Sequence, residues 1–265
     1  MKSSVILVSI FCATSLFAAK PNDVVLPLSA APALLIPAAG STAGANGTFF
    51  RSDITLVNLA NHDQNITLQW LPQGMPAASS MTITIAAQRA LRSADFVREI
   101  LAQSGLGAIR ITGVTSNGTT PDSTALLWAS SRIWTNQPGT NGTTSQSLPA
   151  VPLNGLFSGS TAALFALSGV DVPSNYRVNV GIVNLNSTAH TYSISQTSNG
   201  NVNLVLIPAM SMGQVSLGSG LSATQEVLIQ DVTTGGAAPN SLIVYGSTVD
   251  NITGDAWSEL AVPGQ

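Results

Sequence analysis

Apolar and polar residues alternate over short runs along most of this chain, and two of the runs are near-copies. Phe50-Arg-Ser-Asp-Ile-Thr-Leu-Val-Asn-Leu59 and Tyr176-Arg-Val-Asn-Val-Gly-Ile-Val-Asn-Leu185 align without a gap at a constant spacing (176 − 50 = 126; 185 − 59 = 126). Each begins aromatic-Arg, ends Val-Asn-Leu and alternates between, the pattern of a half-buried strand. One face carries Phe50, Ser52, Ile54, Leu56 and Asn58; its counterpart carries Tyr176, Val178, Val180, Ile182 and Asn184. These faces are predicted to line a core, with Arg51 and Arg177 on the opposite side. A strand used twice at about domain spacing predicts two related units.

Further alternating runs predict strands at 48–58, 66–71, 81–87, 108–112, 125–134 and 145–151 in the first unit. The second unit offers 162–167, 176–184, 191–196, 203–207, 214–217, 226–232, 242–249 and 257–262. Asn-Gly pairs at Asn46-Gly47, Asn117-Gly118 and Asn141-Gly142 supply turn chemistry between them. Leu127-Trp-Ala-Ser130 is paired with Val244-Tyr-Gly-Ser247, which sets Trp128 against Tyr245 as a shared core position, and Leu148-Pro-Ala-Val-Pro152 with Leu260-Ala-Val-Pro263. Only Ser93–Ala102 breaks the pattern. Phe96, Ile100 and Leu101 have helical spacing there, with Ser93 as N-cap and Gly105 as stop, so one short helix is expected. The predicted fold is all-β: two tandem related β-sandwich (Ig-like) domains at 40–152 and 156–265, preceded by a linker at 20–39.

Composition sharpens this. Charged residues make up only 8% of the 265 residues, so Ser, Thr, Asn and Gln carry the polarity, as suits short strands and tight turns. Residues 1–19 read as a secretory signal: Lys2 in the n-region, an apolar run from Val5 to Phe17, and Ala18-Ala19 for cleavage. Phe11 before Cys12 is unsuited to lipidation, and cleavage would leave a chain without cysteine, held by its cores rather than by disulfides. The expected location is exported: periplasmic, cell-surface or extracellular, without membrane insertion after cleavage. The formal charge of −3, or −4 without Lys2 (8 − 12), offers no basic stripe for nucleic acid.

Candidate chemistry is sparse. His62 and His190 fall in the turns after the repeated strand, at positions that do not correspond (62 + 126 = 188), and read as exposed turn residues. No Gly-x-Ser-x-Gly elbow accompanies them, so no catalytic residue is assigned and no enzyme is expected. A secreted hydrolase using His62 or His190 requires one of them buried beside a hydroxyl and a carboxylate. No metal site or cofactor is assigned; Asp250 and Asp255 flank a turn that could be an ordinary hairpin or a calcium loop. Arg51 and Arg177, placed twice at one spot in a charge-poor chain, imply a specific partner, either on their own domain or on a recognition surface. Trp134 and Trp257, near predicted loops, could stack on sugar rings or pack locally. Asn58 and Asn184 are expected to cap the turns that follow them.

The run Gly47-Thr-Phe-Phe-Arg-Ser-Asp-Ile-Thr-Leu-Val-Asn58 resembles a motif of uncharacterised exported bacterial proteins with tandem β-sandwich domains. Ser131-Arg-Ile-Trp134 followed by Pro138-Gly-Thr140 is similar to elements near the end of such units, while the second unit keeps only Tyr176-Arg177 and Val183-Asn184. The resemblance implies the fold and carries no activity. The expectation is a non-enzymatic structural or adhesion/binding protein of the bacterial envelope or extracellular space. Arg51, Arg177, Trp134 and Trp257 are its candidate contacts, and other envelope or extracellular proteins or glycans its partners. A carbohydrate-binding module using loop aromatics is the alternative.

Overall fold

The computed structural model describes residues 30–44, 47–77, 80–137, 139–155, 159–197, 200, 202–235 and 242–264. The expected signal segment, its cleavage site, and residues 20–29 of the expected linker lie outside them.

The described chain is almost entirely antiparallel β-structure, β-sandwich-like, with one short helix. Its first half contains β1 (Ala33–Ala43), β2 (Phe49–Asn58), β3 (Gln64–Pro72), β4 (Met81–Ile85), β5 (Ala90–Ser93), α1 (Phe96–Glu99), β6 (Gly105–Val114), β7 (Leu127–Asn136), β8 (Thr143–Pro149) and β9 (Val151–Pro152). The second half contains β10 (Thr161–Leu164), β11 (Tyr176–Asn184), β12 (His190–Gln196), β13 (Val202–Ile207), β14 (Ser211–Ser219), β15 (Val227–Asp231), β16 (Leu242–Asp250), β17 (Ala256–Leu260) and β18 (Val262–Pro263).

The halves repeat strand for strand. In the second, one sheet runs β13-β12-β15-β10-β18 and the other β14-β11-β16-β17. Subtracting nine from each label gives β4-β3-β6-β1-β9 and β5-β2-β7-β8, the pairings of the first half. The two first-half sheets join because β1 is long: its start pairs with β6 and β9, and beyond an irregularity between Ile36 and Ala39 its end pairs with β2. Residues 33–39, expected in the linker, are thus part of this strand, buried from Leu34 onward; their unbroken apolar run suits burial on both faces.

The repeated strands bury the predicted face. Ser52, Ile54, Leu56 and Asn58, like Val178, Val180, Ile182 and Asn184, are all completely buried. Separate apolar clusters form around them: one holds Ile54, Leu56, Ile66, Leu68, Trp70 and Ile109, the other Val180, Ile182, Tyr192, Ile194 and Ile229. The register corrects one alignment. Asn58 faces Leu127 and Asn184 faces Leu242, so β7 and β16 correspond at a spacing of 115 (242 − 127). Trp128 therefore answers Ile243, Tyr245 answers Ser130, and Trp128 is half-buried rather than core. The helix is also shorter than expected: α1 has four residues and Asp95 at its N-cap, while Ser93 ends β5 and Gly105 starts β6.

The terminal asparagines do more than cap a turn. Asn58 Nδ2 donates to the carbonyls of His62, Ile85 and Ala86, and its Oδ1 accepts from Ala60 N. Asn184 repeats this with Thr188, Ile207, Pro208 and Asn186 N. Each amide ties its strand end to the following turn and to the strand two further on. Asn58→Asp and Asn184→Asp, nearly isosteric but without the donors, should each destabilise by about 2–4 kcal/mol, since buried carbonyls lose their partners. Urea unfolding of both variants measures it.

A third apolar cluster joins the halves. Leu35, Leu71, Ala108, Ile133 and Leu148 of the first meet Val183, Met212, Ile243 and Tyr245 of the second. Ser211 Oγ donates to Pro72 O, Ser247 Oγ to Gln146 Oε1 and Ser258 Oγ to Ser147 O across the same contact. Gly181 lies against the Tyr245 ring, where a Cβ would come within 2.0 Å of ring carbons. Residues 156–265 produced alone would bare Val183, Met212, Ile243 and Tyr245. Expected is a product that aggregates or binds a hydrophobic dye, while residues 20–265 stay soluble and dye-free; a monodisperse, cooperatively folding fragment would show that the shared cluster is dispensable.

Candidate functional site

The half-buried face of the repeated strand has opposite fates in the two halves. In the second it is covered by the first half. In the first, β2 and β7 present Arg51, Asp53, Thr55 and Val57 beside Trp128, Ser130, Arg132 and Trp134, each partly open to solvent, while the intervening β7 residues are buried. β5 adds Arg92, opposite Thr55; β8 adds Ser145 and Ser147, opposite Trp134 and Arg132.

Comparison by register shows what burial demands. Asp53 corresponds to Asn179, Arg92 to Gln214, Arg132 to Ser247, Trp128 to Ile243 and Trp134 to Val249. These three charges on the uncovered face become neutral polar groups in the second half, as expected when unpaired charge cannot be desolvated. Arg51 and Arg177 are the shared exception, at the end of the strand.

The uncovered face is internally ordered. Arg92 grips Asp53 with Nε and Nη2 at 2.9 and 2.6 Å, and hydrogen bonding from Arg92 holds the Asp53 carboxyl below the usual range. Arg132 donates to Ser145 and Thr143 hydroxyls at 2.9 and 3.0 Å. The Arg51 guanidinium sits over the Phe49 and Trp134 rings, 4.9 and 5.2 Å from their centroids, with Asp95 3.9 Å away. Trp134 Nε1 donates to Ala94 O. A shallow groove of about 340 Å³ runs over Asp53, Arg92, Arg132 and Ser147.

Of the four candidate contacts, the structure thus brings together Arg51 and Trp134, facing residues of β2 and β7. Trp257 packs edge-on against Tyr176, centroids 5.5 Å apart, and Arg177 donates to Asn251 Oδ1 in the β16–β17 turn. That turn links the clusters: Thr253 O accepts from Gln137 and Gly254 O from Thr144, at the far end of β7–β8. Asp250 is engaged within it, accepting from Ile252 N and Thr253 Oγ1, which lower its pKa. Among the described residues no group of three or more acidic, His or Cys side chains is placed to hold a metal. Trp128 and Arg132 share this face and are not among the four candidates. The period-two row Trp128-x-Ser-x-Arg-x-Trp134 was the legible signal for both.

One histidine differs from expectation. His62 is exposed, but His190 is buried: Nδ1 lies 2.6 Å from Asp231 Oδ2 and Nε2 3.2 Å from Thr188 Oγ1. A hydroxyl–imidazole–carboxylate row resembles a nucleophile relay. The repeat supplies a plainer role. His190 corresponds to Gln64 (190 − 64 = 126), a buried amide that donates to Val114 O, and Asp231 corresponds to Gly113. Both halves plug one gap with a polar group, and the second uses a His–Asp pair. Burial pushes the Asp231 carboxyl up, but hydrogen bonds from His190 and Thr233 outweigh it and leave its pKa lowered.

A depressed folded pKa stabilises above the unfolded value of about 3.9 and loses that contribution as pH falls through the folded value. Asp231→Asn should cost about 1.5–3 kcal/mol near neutral pH, by removing the buried carboxylate to which His190 and Thr233 are hydrogen-bonded. The gap to wild type should narrow as pH falls below the unfolded value of about 3.9 and close only below the lowered folded value, where Asp231 itself is protonated. Thermal melts at several pH values decide it; a gap independent of pH would show that the carboxylate charge contributes nothing.

No protein-family model matches the chain, and no curated protein matches it.

Proposed function

We propose that the chain is a non-enzymatic, exported structural or adhesion/binding protein of two tandem related β-sandwich domains, bearing its contact surface on the first. The observation that carries this reading is the face of Arg51, Arg92, Trp128, Arg132 and Trp134. It is uncovered and carries Asp53, Arg92 and Arg132 where the equivalent positions of the covered second half are neutral, Arg177 at the strand end apart. The shared cluster makes the second half a support that leaves this face free. The relay at His190 is accounted for by the gap that Gln64 fills in the first half, and Thr188 does not line the groove over Asp53, Arg92 and Arg132.

Carbohydrate is the ligand class a second observation favours. Trp128 and Trp134 lie six residues apart on one face of β7, about 20 Å along a strand, with Arg132 between them. Aromatic rings with a planar donor fork between them suit a chain of sugar rings bearing acidic groups. Trp257, committed to Tyr176, is the weaker candidate.

The test is retention of the purified chain on envelope material and on immobilised neutral and acidic glycans. Trp128→Ala/Arg132→Ala/Trp134→Ala should weaken retention at least about tenfold, the loss of roughly 1.4 kcal/mol or more, with Tm little changed. Equal retention of variant and wild type would remove this face from the function. Loss on protein-bearing envelope but not on glycans would favour a protein partner.

A further inference from the structure

The edge strand β13 carries apolar residues that the fold does not require. Val202, Leu204 and Leu206 are 58, 68 and 67% exposed on the outer face of the sheet. The register matches Ile85 of β4 with Ile207 of β13, because Gln64 and His190 face them (207 − 85 = 122). The three positions therefore correspond to Ser80, Thr82 and Thr84, which are exposed and polar. The same edge in the same sandwich-like unit is built with hydroxyls in one half and large aliphatic groups in the other. Folding of the unit does not explain the difference; contact with something beyond the chain does.

Edge strands are commonly protected by charge, proline or a bulge. β13 has none: Val202–Ile207 contains no charged residue or proline and pairs with β12 in unbroken register over six residues. Its outer-face neighbours across that ladder are Thr191, Ser193 and Ser195, also uncharged. Neutrality matters for the identity of the occupant. A two-fold contact sets a surface against itself, so any charge on it meets its own sign nearby. By contrast, the open groove beside β4, of about 460 Å³, is bordered by Arg89 and Glu99.

We infer that β13 pairs antiparallel with β13 of a second copy, joining two five-stranded sheets across a two-fold axis at Leu204. That centring sets Leu204 against its own copy and Val202 against Leu206 of the other chain. All three aliphatic positions of both strands then form one ridge, and Asn203 faces Val205 on the other side. Centring one residue later would set Val202 against Pro208 and break the ridge. A five-residue seam, Val202 to Leu206 on each strand, lies at the low end of specific interface sizes, so the dimer is expected at about micromolar concentrations. The seam and the Arg–Trp face are separate surfaces, and either reading stands without the other.

Sedimentation velocity of the full chain, from about 1 to about 100 µM, should show monomer giving way to dimer. Leu204→Lys, and Val202→Ser/Leu204→Thr/Leu206→Thr with the first half's own residues, should remain monomeric throughout with Tm close to wild type. With Cys12 replaced by Ser, Leu204→Cys should give a disulfide-linked dimer on mild oxidation, whereas Asn203→Cys should not. A wild-type chain monomeric over the whole range overturns the inference, as does a dimer that survives both edge variants. Glycan and envelope retention measured on the same monomeric variants reports on the Arg–Trp face independently.

Discussion

Burial of the second half's outer sheet face against the first half is the constraint on which the rest depends. A strand with one face on a core and the other on water can carry charge every second residue. A strand enclosed on both faces cannot, since each unpaired charge would be stripped of water. One motif is used under both conditions. Around β2 it gathers Asp53, Arg92 and Arg132; around β11 the same places hold Asn179, Gln214 and Ser247. Tyr245, fully enclosed, fits only because its cross-strand partner is Gly181.

Legibility followed the same division. The repeated strand, its inward face and its terminal asparagines were readable because alternation and a gapless match point one way. β1 was not, because Ala33–Ala39 is apolar without alternation and begins in a Pro- and Ala-rich stretch that resembles a linker. Trp128 was set beside Tyr245 by local similarity; only the ladder shows that the true match lies two residues away. His190 was read as a turn residue because its partner Asp231 is 41 positions distant and belongs to another strand. Sequence spacing between the histidines said they were inequivalent, which holds. It did not say that one had inherited a buried place filled elsewhere by Gln64.

The candidate site shows the limit differently. Arg51 and Trp134 stand out in the sequence for separate reasons, and the β2–β7 ladder sets them face to face. Arg177 and Trp257 stand out on the same grounds, and each meets a local partner. What distinguishes the pairs is whether a neighbouring sheet covers the ground between them. That is a tertiary fact with only an indirect trace in sequence, namely where the charges stop.

The position of β1 also bears on how the chain acquires its structure. Among the described residues it precedes every other strand, yet it is central, between β6 and β9, whose residues follow by about seventy and more than a hundred positions. A long loop must close before its backbone groups find partners, and such closures slow folding. Until residues 105–114 and 151–152 are available, Leu34, Leu35 and Ile36 belong to an apolar, unpaired strand. The first half therefore closes only when nearly all of it is present.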